Sequence, residues 1–434
     1  MNPRHAHPVQ AIVALIVVAA PLRLLAQGVT QADTALARLS AEALVANPSL
    51  EASRAAARAA RARVRPQGAL PDPMLEAGVM DLTLPRFAFH QSDFTEVDIS
   101  LSQEVPWPGT LGARSATARA MARAREAEVA VRRRNVVVRT AELYYRLRYV
   151  VTARATLTQQ RNLLAAGVEI STARYATTTA PQSDPLQARV ALARLDTEGA
   201  DLAAQEAELR AQLKALRNVR GLDSLIIEPI RAELVPSDID LSSPTIGESK
   251  DSLGPDSLPE HPRLAARRAE IEAAERTVRA EQLGARPDFT FMTRYGARPL
   301  GSDFFSAFVG IRIPLYAGRK QLRLADAARA DADAARAALA EEQAELAEEI
   351  QTVRAQIRAG ATRLRLLTGQ VVPSAQATVD ASLRGYRVGK VEFLTVLATE
   401  DALYRAELDA ARVAAEHLTH LVMLEQLLAR EDAQ

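Results

Sequence analysis

The chain has 434 residues, 48% hydrophobic content, no cysteine, and 54 basic side chains set against 53 acidic ones, for a formal net charge of +1. Near-zero charge supplies no basic excess for a nucleic-acid partner. The lack of cysteine excludes disulfides, thiolate zinc sites, cysteine nucleophiles and a lipidated cysteine at the mature N-terminus. Without a phosphate-cradling glycine loop, zinc motif or nucleophile elbow, the sequence indicates neither an enzyme nor a cofactor.

The chain begins with an address. Arg4, His5 and His7 precede an apolar run from Ala11 to Ala20, and Leu24-Leu25-Ala26 offers a cleavage point before Gln27, so residues 1–26 read as a secretory signal peptide. That run is shorter than the roughly 20 residues a spanning helix needs, and no later stretch reaches it. A membrane crossing would therefore have to be made by strands.

A first structural unit, 27–220, opens with a helix and continues with strands at about 73–84 and 94–105. From Phe94 to Val105 the odd positions Val97, Ile99, Leu101 and Val105 are apolar, and the even positions Glu96, Asp98, Ser100, Ser102 and Glu104 are polar. Such period-2 alternation marks a strand with two unlike faces. Met74 to Leu84 is less regular, its phase slipping near Asp81. Long helices follow at about 110–168 and 183–219, since little glycine and no proline interrupts Leu111 to Gly167. At 1.5 Å per residue such a helix reaches on the order of 80 Å.

Residues 221–258, rich in Pro, Ser and Asp (Pro229, Pro236, Ser242, Ser243, Pro244, Pro255), read as a connector with at most short elements. The second unit, 259–434, repeats the order: a helix, strands at about 287–296 and 304–315, and long helices at about 319–384 and 392–430. Phe289, Phe291 and Tyr295 oppose Asp288, Thr290 and Arg294. Phe305, Ala307, Val309, Ile311, Ile313 and Leu315 oppose Ser306, Gly310 and Arg312, with Phe308 out of phase. Leu339, Leu346, Ile350, Val353, Ile357, Leu364, Leu367 and Val371 keep the spacing of a coiled-coil seam.

The two units share one register. Asn47-Pro48 returns as His261-Pro262, Pro71-Asp72 as Pro287-Asp288, Pro106 as Pro314, and Tyr175 with Leu186 as Tyr386 with Leu397, at offsets of 214, 216, 208 and 211. A duplicated structural unit is the expected cause. Each strand matches the roughly 9 to 11 residues of a tilted membrane strand. Glu96, Asp98, Arg294 and Arg312 would then face a watery lumen, and Trp107 and Tyr316 would join an aromatic belt at the membrane interface. Alternation alone also fits soluble hairpins on a protein core. Four strands cannot close a barrel, and an open edge in lipid leaves backbone groups unsatisfied, so several copies must share one barrel. Dimers, trimers and tetramers all satisfy that arithmetic.

These features in this order resemble the TolC family of outer-membrane efflux channels over nearly all of the mature chain. The residues that carry the likeness are Asn47-Pro48 and His261-Pro262, Pro71-Asp72 and Pro287-Asp288, Gln103-Glu104-Val105-Pro106-Trp107-Pro108-Gly109, and Tyr386-Arg387-Val388-Gly389 followed by Phe393-Leu394-Thr395-Val396-Leu397. The Pro-Trp-Pro-Gly stretch is most similar to the branch that serves heavy-metal exporters of the resistance-nodulation-division type.

The resemblance implies a mixed α and β membrane protein, a homotrimer whose four strands per protomer form one 12-stranded β-barrel in outer-membrane lipid. A long α-helical coiled-coil barrel would continue it through the periplasm. It implies a passive exit duct for metal ions or small toxic compounds, served by a periplasmic adaptor and an inner-membrane pump of the resistance-nodulation-division type. A type I secretion exit channel of the same fold and a periplasmic coiled-coil scaffold are the alternatives. Tyr175, Asp184, Leu186, Tyr386, Gly389, Thr395 and Leu397 fall at the implied tunnel entrance and adaptor-contact tips.

By motif position Asp184 and Tyr386 match a pair that holds the entrance closed in relatives, although Asp184 also suits a helix N-cap. Gly389 fits a tight turn, whereas the first turn carries Thr177-Thr178-Thr179-Ala180-Pro181. Thr395 and Ala398 stand where relatives often carry carboxylates, which puts a cation-selective acidic ring there in doubt. His417 and His420, beside Glu416, form too small a set for a metal site, and His90 reads as a surface residue.

Overall fold

A computed structural model describes residues 33–81, 95–178, 180–223, 225–236 and 261–428. The predicted signal peptide, His90, the outer ends of the first two predicted strands and the connector beyond Pro236 lie outside the described residues. The chain divides into two compact units, one of Glu51–Arg132 and Glu260–Glu345, the other of Met1–Leu50, Arg133–Pro259 and Leu346–Gln434.

The elements are α1 (Thr34–Ala46), α2 (Pro48–Ala62), α3 (Val64–Gly68), β1 (Met74–Met80), β2 (Glu96–Val105), α4 (Thr110–Ala176) and α5 (Ser183–Leu216). After a short 3-10 turn at Ala232–Leu234 come α6 (Pro262–Leu283), β3 (Asp288–Ala297), β4 (Phe304–Arg312), α7 (Gln321–Leu366), α8 (Val372–Arg387) and α9 (Phe393–Leu428). Helix α4 runs 67 residues without a break, past the expected end near 168. Strand β1 stops at Met80 because Asp81 takes a positive φ of 54°, which is where the alternation slips. Strand β4 stops at Arg312, short of the expected 315, and Pro314 has no N–H to donate to a ladder.

The four strands form one antiparallel sheet in the order β1-β2-β3-β4. Its register puts Leu75, Ala77 and Val79 opposite Leu101, Ile99 and Val97, and these in turn beside Thr293, Tyr295 and Ala297. Farther along this face Phe291 and Phe289 pair with Val309 and Ile311. The other face carries Glu76, Asp98, Glu96, Arg294 and Arg312, together with Phe304 and Phe308. The phase exception at Phe308 is therefore an aromatic ring on the polar face.

Helix starts follow local chemistry. The Asn47 Oδ1 accepts from the backbone N–H groups of Ser49 (3.0 Å) and Leu50 (3.1 Å) while its Nδ2 donates to the Leu216 carbonyl at 2.9 Å. His261 Nδ1 accepts from the Arg263 N–H at 3.3 Å. Both residues cap a helix whose first position is proline, and Leu50 and Leu264 three residues on are fully buried.

In the unit that carries the sheet, α4, α6 and α7 contribute buried alanines, among them Ala118, Ala122, Ala273, Ala325, Ala328 and Ala332. Arg263 and Arg267 converge there on the buried carboxylate of Glu342.

The second unit has the larger apolar core, built from Leu36, Leu39, Tyr145, Leu147, Leu213, Leu364 and Val422. Part of the expected connector belongs to it: Leu225, Ile227, Ile230 and Ala232 are buried. Arg148 holds that segment through the carbonyls of Glu228 and Pro229, and the Ile230 N–H donates to the Thr152 hydroxyl at 2.7 Å.

The expected seam of α7 is buried at Leu346, Ile350, Val353, Ile357 and Leu364 but is lost at Val371, which is 44% exposed. A π-helical turn at Leu367–Val371 intervenes just before Pro373. Proline lacks the N–H of a regular turn and its ring presses on the carbonyl four residues back, so an inserted residue relieves the clash and rotates the following face. Helix α8 therefore packs through Val379, Ser382 and Tyr386.

Arg294 and Arg312 give a contrast in stability. Arg294, 21% exposed, is held between Glu96 at 2.7 Å and Asp98 at 3.0 Å, whereas Arg312, 61% exposed, pairs with Glu104 at 2.8 Å. Arg294→Ala should cost about 1–3 kcal/mol by leaving the shielded Asp98 carboxylate without its ion pair while Glu96 keeps Arg298; Arg312→Ala should cost under about 1 kcal/mol. Denaturant titration followed by tryptophan emission from Trp107 compares the two directly.

Candidate functional site

Two regions carry the residues singled out by sequence, the sheet and the loops that join α4 to α5 and α8 to α9. In the sheet the usual order of burial is reversed. Along β2 the polar Glu96, Asp98 and Ser100 are 5–9% exposed, while the apolar Val97, Ile99 and Leu101 are 41–52% exposed. Phe305, Val309 and Ile311 are likewise 57–70% exposed.

The polar face is covered by its own ion pairs. Arg294 bonds Glu96 and Asp98, Arg298 reaches Glu96 at 3.3 Å, and both guanidiniums lie over the Phe304 ring at 6.0 and 4.8 Å. Gly296 leaves the space that Phe304 fills, for a Cβ there would stand 2.2 Å from the ring. Arg312 and Glu104 close a second bidentate pair lower on the same face. Glu96, Asp98, Arg294 and Arg312 thus share one face, with Arg298 and Phe304 as members that strand alternation did not single out. Arg298 lies just beyond β3, and Phe304 reads by its type as an outward residue.

Trp107 stacks on Phe289 with ring centroids 5.8 Å apart, and its backbone N–H donates to the Asp288 carboxylate at 3.1 Å. Gly109, at φ 93°, turns the chain from this stack into α4. Tyr316 lies beyond β4 and is 75% exposed.

At the loops, equivalent turns are built from different residues. The Thr178 N–H donates to the Tyr175 carbonyl and the Gly389 N–H to the Tyr386 carbonyl, both at 3.0 Å. Both turn residues are left-handed, Thr178 at φ 58° and Gly389 at φ 73°. Gly385 is needed for a separate reason, since a Cβ there would meet the Val391 side chain at 2.5 Å.

Tyr386, Phe393, Val396 and Ala188 form a small core with Leu397 and Val168 against it. The Tyr386 ring lies 5.4 Å from Phe393 and beneath the Arg174 guanidinium at 4.5 Å. Its hydroxyl is buried without a hydrogen-bond partner, so the contact with Asp184 is not made within the chain. Asp184 does not cap its helix either: Gln182 holds the cap position and Asp184 lies in the first turn, where its charge favours the helix dipole. Leu186 and Tyr175 are 52% and 44% exposed, and Thr395 is also exposed.

Behind this core, Glu400 was not singled out by sequence. It is 9% exposed, and burial raises its carboxyl above the ordinary range. The nearby Tyr404 hydroxyl donates to Glu198 at 2.8 Å, and burial keeps that phenol protonated. His417 is fully buried, with Nε2 3.2 Å from the Pro236 carbonyl, and burial lowers the pKa of both His417 and His420. A Cβ at Gly360 would stand 3.1 Å from the His417 ring, which makes this histidine a packing residue. Among the described residues no group of three or more His, Asp and Glu could hold a metal ion.

The fold is that of bacterial outer-membrane channels solved at low sequence identity. It superposes on CusC, whose crystal structures describe changes accompanying folding and transmembrane channel formation, with a TM-score of 0.79, 16% identity and 99% of each chain covered. It also matches the outer membrane protein VceC of Vibrio cholerae (TM-score 0.72, 20% identity, 91% of this chain and 96% of that one). The CmeC outer membrane channel of Campylobacter jejuni gives 0.72 at 13% identity, covering 92% and 86%. Within that class, residues 253–430 match the family described as Outer membrane efflux protein, an efflux family rather than an enzyme family. No curated protein matches the sequence.

Two substitutions test the loop region. A β-branched residue in the left-handed region costs about 1–2 kcal/mol, so Thr178→Gly should raise stability by about 1 kcal/mol in a chemical melt, and Gly389→Thr should lower it. Because burial raises the folded-state pKa of Glu400, its stabilising neutral form prevails below the ordinary carboxylate pKa and is lost as pH rises through the folded value. Glu400→Gln should accordingly raise the melting temperature at pH 8, with the gain shrinking towards pH 4. Glu198, Asp401, Arg194 and Arg405 line the same groove, and mutating each to its neutral counterpart controls for their fields.

Proposed function

We propose that this protein is the outer-membrane exit duct of a tripartite efflux system: a homotrimer whose sheets close one 12-stranded barrel in lipid and whose helices form a tunnel in the periplasm. The observation that carries this reading is the reversed sheet, with its apolar side chains outside and Glu96, Asp98 and Arg294 shielded. A soluble hairpin on a protein core would hide Ile99, Leu101 and Phe305 and expose Glu96. A lipid-facing wall needs the opposite.

The free edges support the same reading. Among the described residues β1 and β4 are each paired on one side only, and in hydrocarbon every unpaired backbone group costs several kcal/mol. Three copies of four strands make 12, and β4 of one copy runs antiparallel to β1 of the next. The matched register of the two halves supports a duplicated origin. A scaffold made of coiled coil alone has no use for the outward phenylalanines.

Conduction in this reading is passive. Ion pairs across the polar face leave a hydrated wall, and the energy comes from an inner-membrane pump of the resistance-nodulation-division type. A periplasmic adaptor grips the tips near Tyr175, Leu186, Tyr386, Gly389, Thr395 and Leu397. Between protomers, Asp184 accepts a hydrogen bond from Tyr386 in the closed state, which requires the tyrosine to leave its own pocket. The Pro106-Trp107-Pro108-Gly109 stretch favours metal ions or small toxic solutes over secreted proteins as cargo.

Outer-membrane fractions should yield a trimer band that dissociates on heating, and the purified protein should conduct in planar bilayers. Ile99→Lys places a charge on the lipid face at a cost of about 2–4 kcal/mol per copy near the midplane, so the trimer band should vanish, whereas Ser100→Lys on the other face should retain it. Full recovery of wild-type protein as a soluble periplasmic species would refute the duct.

A further inference from the structure

The helical unit contains a cavity beside the loop tips, sharing Leu186 and Leu397 with them. It lies between α4, α5 and α9, has a volume of about 640 Å³, and is walled by Leu164, Leu186, Val190, Leu195, Leu394 and Leu397. Glu400, Glu198, Asp401 and Tyr404 supply its acidic and phenolic lining, and Arg194 and Arg405 its two basic groups, leaving one net negative charge.

Most of these polar groups already have partners. Glu198 accepts from the Tyr404 hydroxyl at 2.8 Å, and Arg405 pairs with Asp401 at 3.0 Å. Glu400 alone among the three carboxylates is more than nine-tenths buried, and it has neither a hydrogen bond nor an ion pair among the described residues. Burial raises its carboxyl above the ordinary carboxylate range.

A buried carboxylate without a partner is costly, and apolar walls make the cost larger. The same group becomes an asset when a positive charge enters, because attraction between desolvated ions far exceeds that in water. The volume falls in the range of small-molecule sites, about 300–1,000 Å³, and the lining follows their usual pattern of apolar walls around a few polar groups. The walls reward an apolar body, and the floor rewards one positive charge.

We propose that this cavity binds an amphiphilic organic cation, with Glu400 as the counter-ion and the leucines of α4, α5 and α9 around the apolar part. The partnered state of Glu198 and Asp401 leaves Glu400 as the residue that reads charge. The proposal does not depend on the duct: a trimer that conducts could lack the site, and a protein that fails to conduct could possess it.

Tetraphenylphosphonium and tetraphenylborate have nearly the same shape and opposite charge, which makes them the probes of choice. Calorimetric titration of the purified full chain in neutral detergent should show saturable binding of tetraphenylphosphonium and at least tenfold weaker binding of tetraphenylborate. Glu400→Gln should weaken the cation at least tenfold and leave the anion unchanged, and its higher melting temperature separates that loss from misfolding. Val190→Glu, which adds a carboxylate at the rim, should not abolish cation binding, whereas Leu397→Trp should block both ions by filling the cavity. Equal affinity for the two ions, undiminished cation binding by Glu400→Gln, or no saturable binding of tetraphenylphosphonium would each overturn the proposal.

Discussion

A strand pair buries whichever face finds better company, and here the better company for the charged face is itself. Arg294 and Arg298 neutralise Glu96 and Asp98 and lie against Phe304, so the polar side of the sheet is closed by ion pairs and one aromatic ring. That arrangement releases the apolar side to face outward. An exposed row of Val97, Ile99, Leu101, Phe305 and Val309 is a liability in water and a requirement in hydrocarbon. Among the described residues the sheet also leaves β1 and β4 with one unpaired edge each, and unpaired backbone groups are costly in hydrocarbon.

The helices solve a different problem. Long helices need partners along their whole length, and the two units provide them by different means. Beside the sheet the contacts are alanines and Arg–Glu pairs, which allow close approach without bulky side chains. In the other unit a conventional apolar core forms, and Arg148 draws the segment before Pro236 into it. The π turn before Pro373 belongs to the same economy: one extra residue spares a broken helix and turns α8 so that Tyr386 meets Phe393. Thr178 and Gly389 then show two sequences reaching one turn geometry, the first at a conformational cost that the second avoids.

Much of this was legible in the residues. Alternation located β2, β3 and β4 and only irregularly β1, heptad spacing located the seam of α7, and the Asn-Pro and His-Pro steps located two capped helix starts. Charge, periodicity and proline act locally, so they leave local traces. The misses have different causes. The end of β1 at Asp81 and the loss of the seam at Val371 are local, set by a left-handed residue and by the turn before Pro373, whereas the burial of Leu225, Ile227, Ile230 and Ala232 depends on Arg148 and Thr152, distant in the chain.

By itself the sequence determined the inventory: which stretches alternate, which run long, where helices start, and which faces carry charge. The tertiary structure alone decided which face of the sheet would be hidden, since alternation is symmetric with respect to inside and outside. It also decided that Tyr386 would sit beside Phe393 with an unpaired hydroxyl, and that Glu400 would be buried at a groove without a hydrogen bond or ion pair among the described residues. Pairing and burial are relations between residues far apart in the chain, and a one-dimensional pattern fixes each residue's chemistry without fixing its company.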